Sequence, residues 1–236
     1  MKVPKAAPKS RKSSPARRFA GGQRSGLLPR TLKARSRPGD TTLQRHASFF
    51  DDDGDRVIGI AECARGLKAL GLPVGVAEAV ALAIVVPLSI QTGGSLRAMN
   101  IDIENIQKGK HDSDTGILDA RGWFNAKRFA RVFGAHSTVD RNGDKAVTAM
   151  EITRMVRANR ETLLGFVASL AEWQLLFLLA ADTEAIEGHE SVPALSVARI
   201  KSFYDGTLFY KLAKQRAGSA KRIARLPIAA AAGGAR

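Results

Sequence analysis

Phe49-Phe50-Asp51-Asp52-Asp53-Gly54-Asp55-Arg56-Val57-Ile58-Gly59-Ile60-Ala61-Glu62 is the stretch that decides how this chain folds. Counted from Asp51, it sets carboxylates at positions 1, 3 and 5 (Asp51, Asp53, Asp55) and a backbone carbonyl at position 7 (Val57). An apolar residue stands at 8 (Ile58) and a carboxylate at 12 (Glu62). A hard cation that takes six to eight oxygens needs such a set, with the last Glu binding through both of its oxygens. Position 9 is Gly59, so water fills that ligand place.

The pattern returns at Asp140-Arg141-Asn142-Gly143-Asp144-Lys145-Ala146-Val147-Thr148-Ala149-Met150-Glu151. Here Asp140, Asn142, Asp144 and Glu151 hold positions 1, 3, 5 and 12, Ala146 offers the carbonyl at 7, and Thr148 is a ligand at 9, directly or through water. Two such loops with helical flanks read as an EF-hand helix-loop-helix pair that binds Ca2+. Both loops lack the Gly expected at position 6, where Arg56 and Lys145 stand. A non-Gly residue in a left-handed conformation costs about 1–2 kcal/mol, which lowers affinity without abolishing it. Ile58 and Val147 are expected to pair the loops through a short antiparallel bridge, with strand limited to that bridge.

Outward from the loops, two apolar segments appear. Residues 72–90, LPVGVAEAVALAIVVPLSI, carry Glu78 as the only charge. A helix of that length reaches roughly 28 Å, marginal for spanning a bilayer, so insertion in a lipid surface and a buried core helix both remain open. Pro73 and Pro87 bracket the run, and Pro87 bends or breaks a helix near its end. The second segment runs from about Arg160 to Ala181 and is apolar on nearly every face. Glu172 in its middle argues for burial inside protein. Between them, Lys108 to Phe124 is polar and turn-forming and holds His111 beside Asp112 and Asp114.

The 236 residues carry 37 Lys+Arg against 22 Asp+Glu, a net charge of +15. The excess sits at the ends. Residues 1–40 hold 12 Lys/Arg and one acid, residues 211–236 hold seven Lys/Arg and no acid, and the remainder is slightly acidic. Two basic tails, 1–40 and 217–236, are therefore expected to be disordered around a folded domain at 41–216. Nucleic acid is disfavoured as a partner, because the composition implies no folded basic surface. Electrostatic attachment of the arms to an anionic lipid surface is the functional alternative to a merely solvated tail. One cysteine, Cys63, excludes an internal disulfide and any cysteine-rich metal centre.

Four blocks resemble the caleosins: LQRHASFFDDDGD with the following ARGLKALGL (43–72), NIQKGKHDSDTGILDARGWF (105–124), LLGFVASLAEWQLLFLLAAD (163–182) and FYDGTLFYKLAKQR (203–216). The resemblance implies a calcium-binding protein of lipid droplets or intracellular membranes. It also implies a haem b-dependent peroxygenase that moves oxygen from a lipid hydroperoxide to an unsaturated fatty acid. On this likeness His46 and His111 are the haem-associated, catalytic positions, with Asp112 or Asp114 as partners that fix an imidazole tautomer. His136 and His189 match nothing in the pattern. The family's proline-dense knot is represented by Pro87 alone. The competing reading is a non-enzymatic, calcium-responsive, membrane-associated EF-hand protein. The expected fold is mainly α, an EF-hand pair with an inserted apolar helix.

Overall fold

The computed structural model describes residues 36–93, 98–110 and 115–224. His111, Asp112, Asp114, most of the N-terminal tail and residues 225–236 lie outside the described residues.

The chain is mainly α-helical, as expected. Helix α1 (Thr42–Ala47) starts at a capping box in which Thr41 and Gln44 exchange side chain and backbone bonds. The first loop leads through strand β1 (Val57–Gly59) into α2 (Ile60–Ala69), and a sharp turn opens α3 (Val74–Gln91). Strand β2 (Asn100–Asp102) and a 3₁₀ helix (Ile103–Gly109) follow. Helix α4 (Ala126–His136), strand β3 (Thr138–Val139) and strand β4 (Lys145–Thr148) carry the second loop into α5 (Ala149–Ala158). Helix α6 (Leu163–Ala180), a hairpin of β5 (Thr183–Glu187) and β6 (Glu190–Ser196), α7 (Val197–Tyr204) and α8 (Leu208–Ala224) complete the chain.

The expected bridge between the two loops does not form. Ile58 pairs with Ile101 of β2, and Val147 pairs with Leu195 of β6. Each loop finds its antiparallel partner beyond the apolar helix that follows it. The two loops thus sit in two equivalent runs of loop, helix, apolar helix and return strand. Helix α5 begins 89 residues after α2 (60 to 149), and α6 begins 89 after α3 (74 to 163), the same spacing as the loop starts (51 to 140).

Strand is more extensive than the single bridge expected. A four-stranded sheet of order β3-β4-β6-β5 forms around the hairpin turn at Gly188, whose φ of 63° suits glycine. Pro193 disguises β6 as a non-strand, but it lies one residue outside the part of β6 that pairs with β4, so its missing N–H breaks no bond there. Helix α8 runs to Ala224, beyond residue 217.

Helix α3 buries Ala77, Ala81, Val85 and Ser89, a four-residue spacing that presents small side chains to α2. Its other faces leave Val74, Val76, Leu82 and Ile90 exposed. Helix α6 buries Ser169, Trp173 and Leu176 while Leu163, Leu164, Val167 and Leu178 face outward. The burial expected of the second apolar segment is therefore only partial, and Glu172 is itself exposed at the rim of an internal cavity.

Candidate functional site

In the first loop the carboxylates of Asp51, Asp53 and Asp55 converge, with one ligand oxygen from each within 4.8 Å of the others. Asp51 is 1% exposed. Its oxygens accept the amides of Gly54 (2.8 Å) and Arg56 (3.2 Å). Glu62 closes the loop from the first turn of α2: Oε2 accepts the Gly59 amide (2.9 Å) and Oε1 the Asp52 amide (3.1 Å). Burial pushes the Asp51 carboxyl above its ordinary range against those amide bonds, and Asp55 and Asp53 add repulsion. Burial raises Glu62 as well, against its amide bonds, with a further push from Asp53. A cation would relieve this crowding of negative charge. The donor set, hard oxygens on a loop open to solvent at Asp53 and Asp55, fits calcium.

Position 6 of this loop takes the strained geometry expected, with φ 75° at Arg56. The compensation is in its side chain. The guanidinium donates to both oxygens of Asp40 (3.0 and 2.9 Å), to Ser48 Oγ (3.2 Å) and to Glu104 Oε1 (2.8 Å).

The second loop is arranged differently. Lys145 lies in β4, and among non-glycine residues described only Arg56 and Met99 have positive φ, so the strain expected at Lys145 is absent. The turn is made at Gly143, φ 87°. Asp140 spends Oδ1 on the amides of Asn142 (2.8 Å) and Asp144 (2.9 Å), and Oδ2 on the Thr183 hydroxyl (2.7 Å). The Thr183 bond is the main cause of its lowered pKa. Thr148 donates its hydroxyl to Glu187, and Glu151 caps α5 through the Thr148 amide. Among the described residues, Asp140, Asp144 and Glu151 do not gather into a metal-sized group as the first loop does. Asn142 is exposed, and Ala146 is fixed in the β4 ladder opposite Ser196.

Behind the first loop lies a cavity of about 300 Å³ between α1, α2, α3, the 3₁₀ helix, α6 and α7. His46 is on its wall. The imidazole stands 4.5 Å, centroid to centroid, from both Phe203 and Phe209. Burial among these rings lowers its pKa to about 4, only partly offset by its hydrogen bond to the Phe203 backbone. The ring is therefore neutral at pH 7, with one nitrogen committed to a carbonyl and the other unprotonated. A metal-binding histidine is arranged in this way, so the donor chemistry fits haem iron.

The residues on either side of the His111 segment, Lys110 and Thr115, both line the cavity. Three further wall residues escape a reading of the sequence. Thr115 Oγ1 and Tyr204 OH share a buried hydrogen bond of 3.1 Å, a polar pair in walls that are mostly apolar. Cys63, expected to lie apart from the haem positions, also faces the cavity, but burial pushes its thiol up to about 12 and keeps it protonated. The signal for Tyr204 was its place in the FYDGTLFY block, which also supplies Phe203 and Phe209.

The profile of the caleosin family, described as caleosin related protein, matches residues 39–213. That span contains Asp40, the first loop, the cavity walls and the second loop. "Probable peroxygenase 4" of Arabidopsis thaliana is 31% identical over 188 residues, covering 78% of this chain and 91% of that protein. "Peroxygenase" of Lilium longiflorum is 32% identical over 188 residues, 78% of this chain and 74% of that protein. A "Probable inactive peroxygenase-like protein" of Arabidopsis thaliana is 31% identical over 110 residues, 46% of this chain and 48% of its own length. No solved structure matches the chain. By the extent of the match and by the residues it spans, the chain belongs to the caleosin family.

Proposed function

We propose that this chain is a calcium-binding haem peroxygenase that transfers oxygen from fatty acid hydroperoxides to unsaturated lipids at an intracellular membrane or lipid-droplet surface. The observation that carries the reading is His46: a neutral imidazole, tied to the Phe203 carbonyl through one nitrogen, on the wall of an apolar cavity. His46 would hold the iron, and His111 would take the second haem-associated position that the caleosin likeness gives it; the described residues on either side, Lys110 and Thr115, line the cavity. Bound haem supplies cleavage of the hydroperoxide O–O bond and delivery of one oxygen atom to the acceptor, with the hydroperoxide leaving as its alcohol.

The protein's own part is binding and orientation. Apolar side chains such as Leu67, Leu88 and Leu176 hold an acyl chain and exclude water. The Tyr204 and Thr115 hydroxyls offer a buried neutral polar pair that reaches a hydroperoxide proton. Asp51, Asp53, Asp55, the Val57 carbonyl and Glu62 would hold calcium. The second loop, where Asp140 is also bonded to Thr183 and Thr148 to Glu187 and where no comparable carboxylate group converges among the described residues, would hold it weakly. Exposed apolar residues on α3 and α6 support a lipid surface as partner.

Purified protein supplied with haem tests this. The expected sample shows a Soret band and epoxidises oleate with a fatty acid hydroperoxide. A protein that leaves the added haem with its free spectrum and binds calcium without oxygenating oleate would favour the non-enzymatic reading.

A further inference from the structure

Arg56 joins three separate pieces of chain that meet around the first loop. Its amide donates to Asp51 at the head of the loop (3.2 Å), and its carbonyl accepts the Ile103 amide (3.0 Å) at the start of the 3₁₀ helix. Its guanidinium holds both ends of α1. Asp40 precedes the Thr41 cap and is held by two bonds, and Ser48 is the residue that caps the other end. A further bond runs to Glu104 in the 3₁₀ helix. Arg56 and Asp40 are almost fully buried, with side chains 6% and 7% exposed.

The elements so held are two walls of the cavity. Helix α1 carries Thr42, Leu43 and His46 into it, and the 3₁₀ helix carries Ile106 and Gly109. Glycine at position 6 would adopt φ 75° without strain, so the left-handed backbone is no reason for an arginine. A fork of five donors that spans two elements is such a reason. Asp51 accepts the Arg56 amide, and Asp55 and Val57 flank Arg56 in sequence, so an ion held by these three would act directly on its backbone.

We propose that Arg56 is a positioning residue that couples ion occupancy of the first loop to the shape of the His46 cavity. The inference rests on the reading that this loop binds calcium and this cavity an acyl chain. Both are measured directly in the test. Calcium affinity is read by calorimetry, and the affinity of haem-free protein for the fluorescent fatty acid cis-parinarate is read with calcium and with chelator. The wild-type chain is expected to change its parinarate Kd at least about fivefold between the two conditions, the low end of usual allosteric coupling. Arg56→Gly is expected to bind calcium as well as the wild type or better, while the change falls below about twofold.

Glu104→Gln alters a half-exposed partner, leaves the buried Asp40 pair and serves if Arg56→Gly does not fold; it is expected to weaken the coupling measurably. Wild-type coupling retained in the folded variants overturns the inference. So does a wild-type chain that binds calcium and parinarate independently. A wild-type chain that binds no calcium overturns the calcium reading and this inference together, and one that binds no parinarate does the same for the acyl-chain reading.

Discussion

His46 and Phe203 are held together twice, ring to ring at 4.5 Å and through the hydrogen bond from the imidazole to the Phe203 backbone. The pair ties α1 to α7, and burial keeps the imidazole uncharged although the Phe203 bond favours its protonated form. An imidazole that titrates near 4 instead of 6.5 makes the fold sensitive to acid. Between those values the unfolded chain binds the proton and the folded chain does not, so stability falls as pH drops from about 6.5 to about 4 and is unaffected above. The full shift corresponds to on the order of 3 kcal/mol in haem-free protein. Urea midpoints at pH 7 and pH 4.5 check it: His46→Phe should lose less stability on acidification than the wild type, and an identical loss in both would show that His46 contributes no such term.

Calcium binding should be dominated by one loop. Asp51→Asn removes a charged ligand from the converging set and is expected to weaken the tighter site more than roughly tenfold. Asp140→Asn is expected to leave that affinity nearly unchanged while lowering the thermal midpoint, because the Asn142 and Asp144 amides and the Thr183 hydroxyl lose a charged acceptor. Calorimetry on both variants separates the loops, and the reverse ranking would reassign the site to the second loop.

Gly66 sits within α2, where alanine would ordinarily gain about 1 kcal/mol of helix stability. A Cβ there would stand 2.4 Å from Phe50 Cδ1, too close for any side chain. Phe50 also lines the cavity, so its ring yields toward that space or the helix shifts. Gly66→Ala should therefore lose about 1–2 kcal/mol net through overpacking and bind cis-parinarate more weakly than the wild type. Thermal unfolding and probe titration read the two effects.

The outward face of α6 should carry membrane affinity. Leu163, Leu164 and Leu178 are 72%, 81% and 76% exposed. Burying a leucine is worth about 1.5–3 kcal/mol. Serine at all three positions should cut flotation with phosphatidylcholine vesicles at least tenfold while leaving calcium affinity intact. Unchanged flotation would move the lipid contact elsewhere.

The two loops were legible because oxygens at alternate positions, followed by a Glu at the twelfth, suit a chain wrapped around a hard cation and little else. Their pairing was not, since Ile58 and Val147 are equally good partners for each other and for any β-branched or leucine strand. Only the position of the apolar helices selects Ile101 and Leu195. His46 was singled out by its block, whereas the ring cage of Phe203 and Phe209 arrives from more than 150 residues away in sequence and needs the fold. Arg56 read as a defect at a glycine position, and its meaning depends on Asp40 and Glu104, neither of which any local pattern marks. Likewise Asp140 has the spacing of a ligand, and only the fold shows that one of its oxygens also accepts the Thr183 hydroxyl from β5.

Titration of haem into the purified, haem-free chain, followed by its absorption spectrum, addresses the central claim most directly. The wild type should bind one equivalent and give a Soret band characteristic of imidazole ligation, and His46→Ala should bind more weakly with a shifted band that added imidazole restores. A wild-type spectrum no different from free haem, or one unchanged in His46→Ala, would contradict the account.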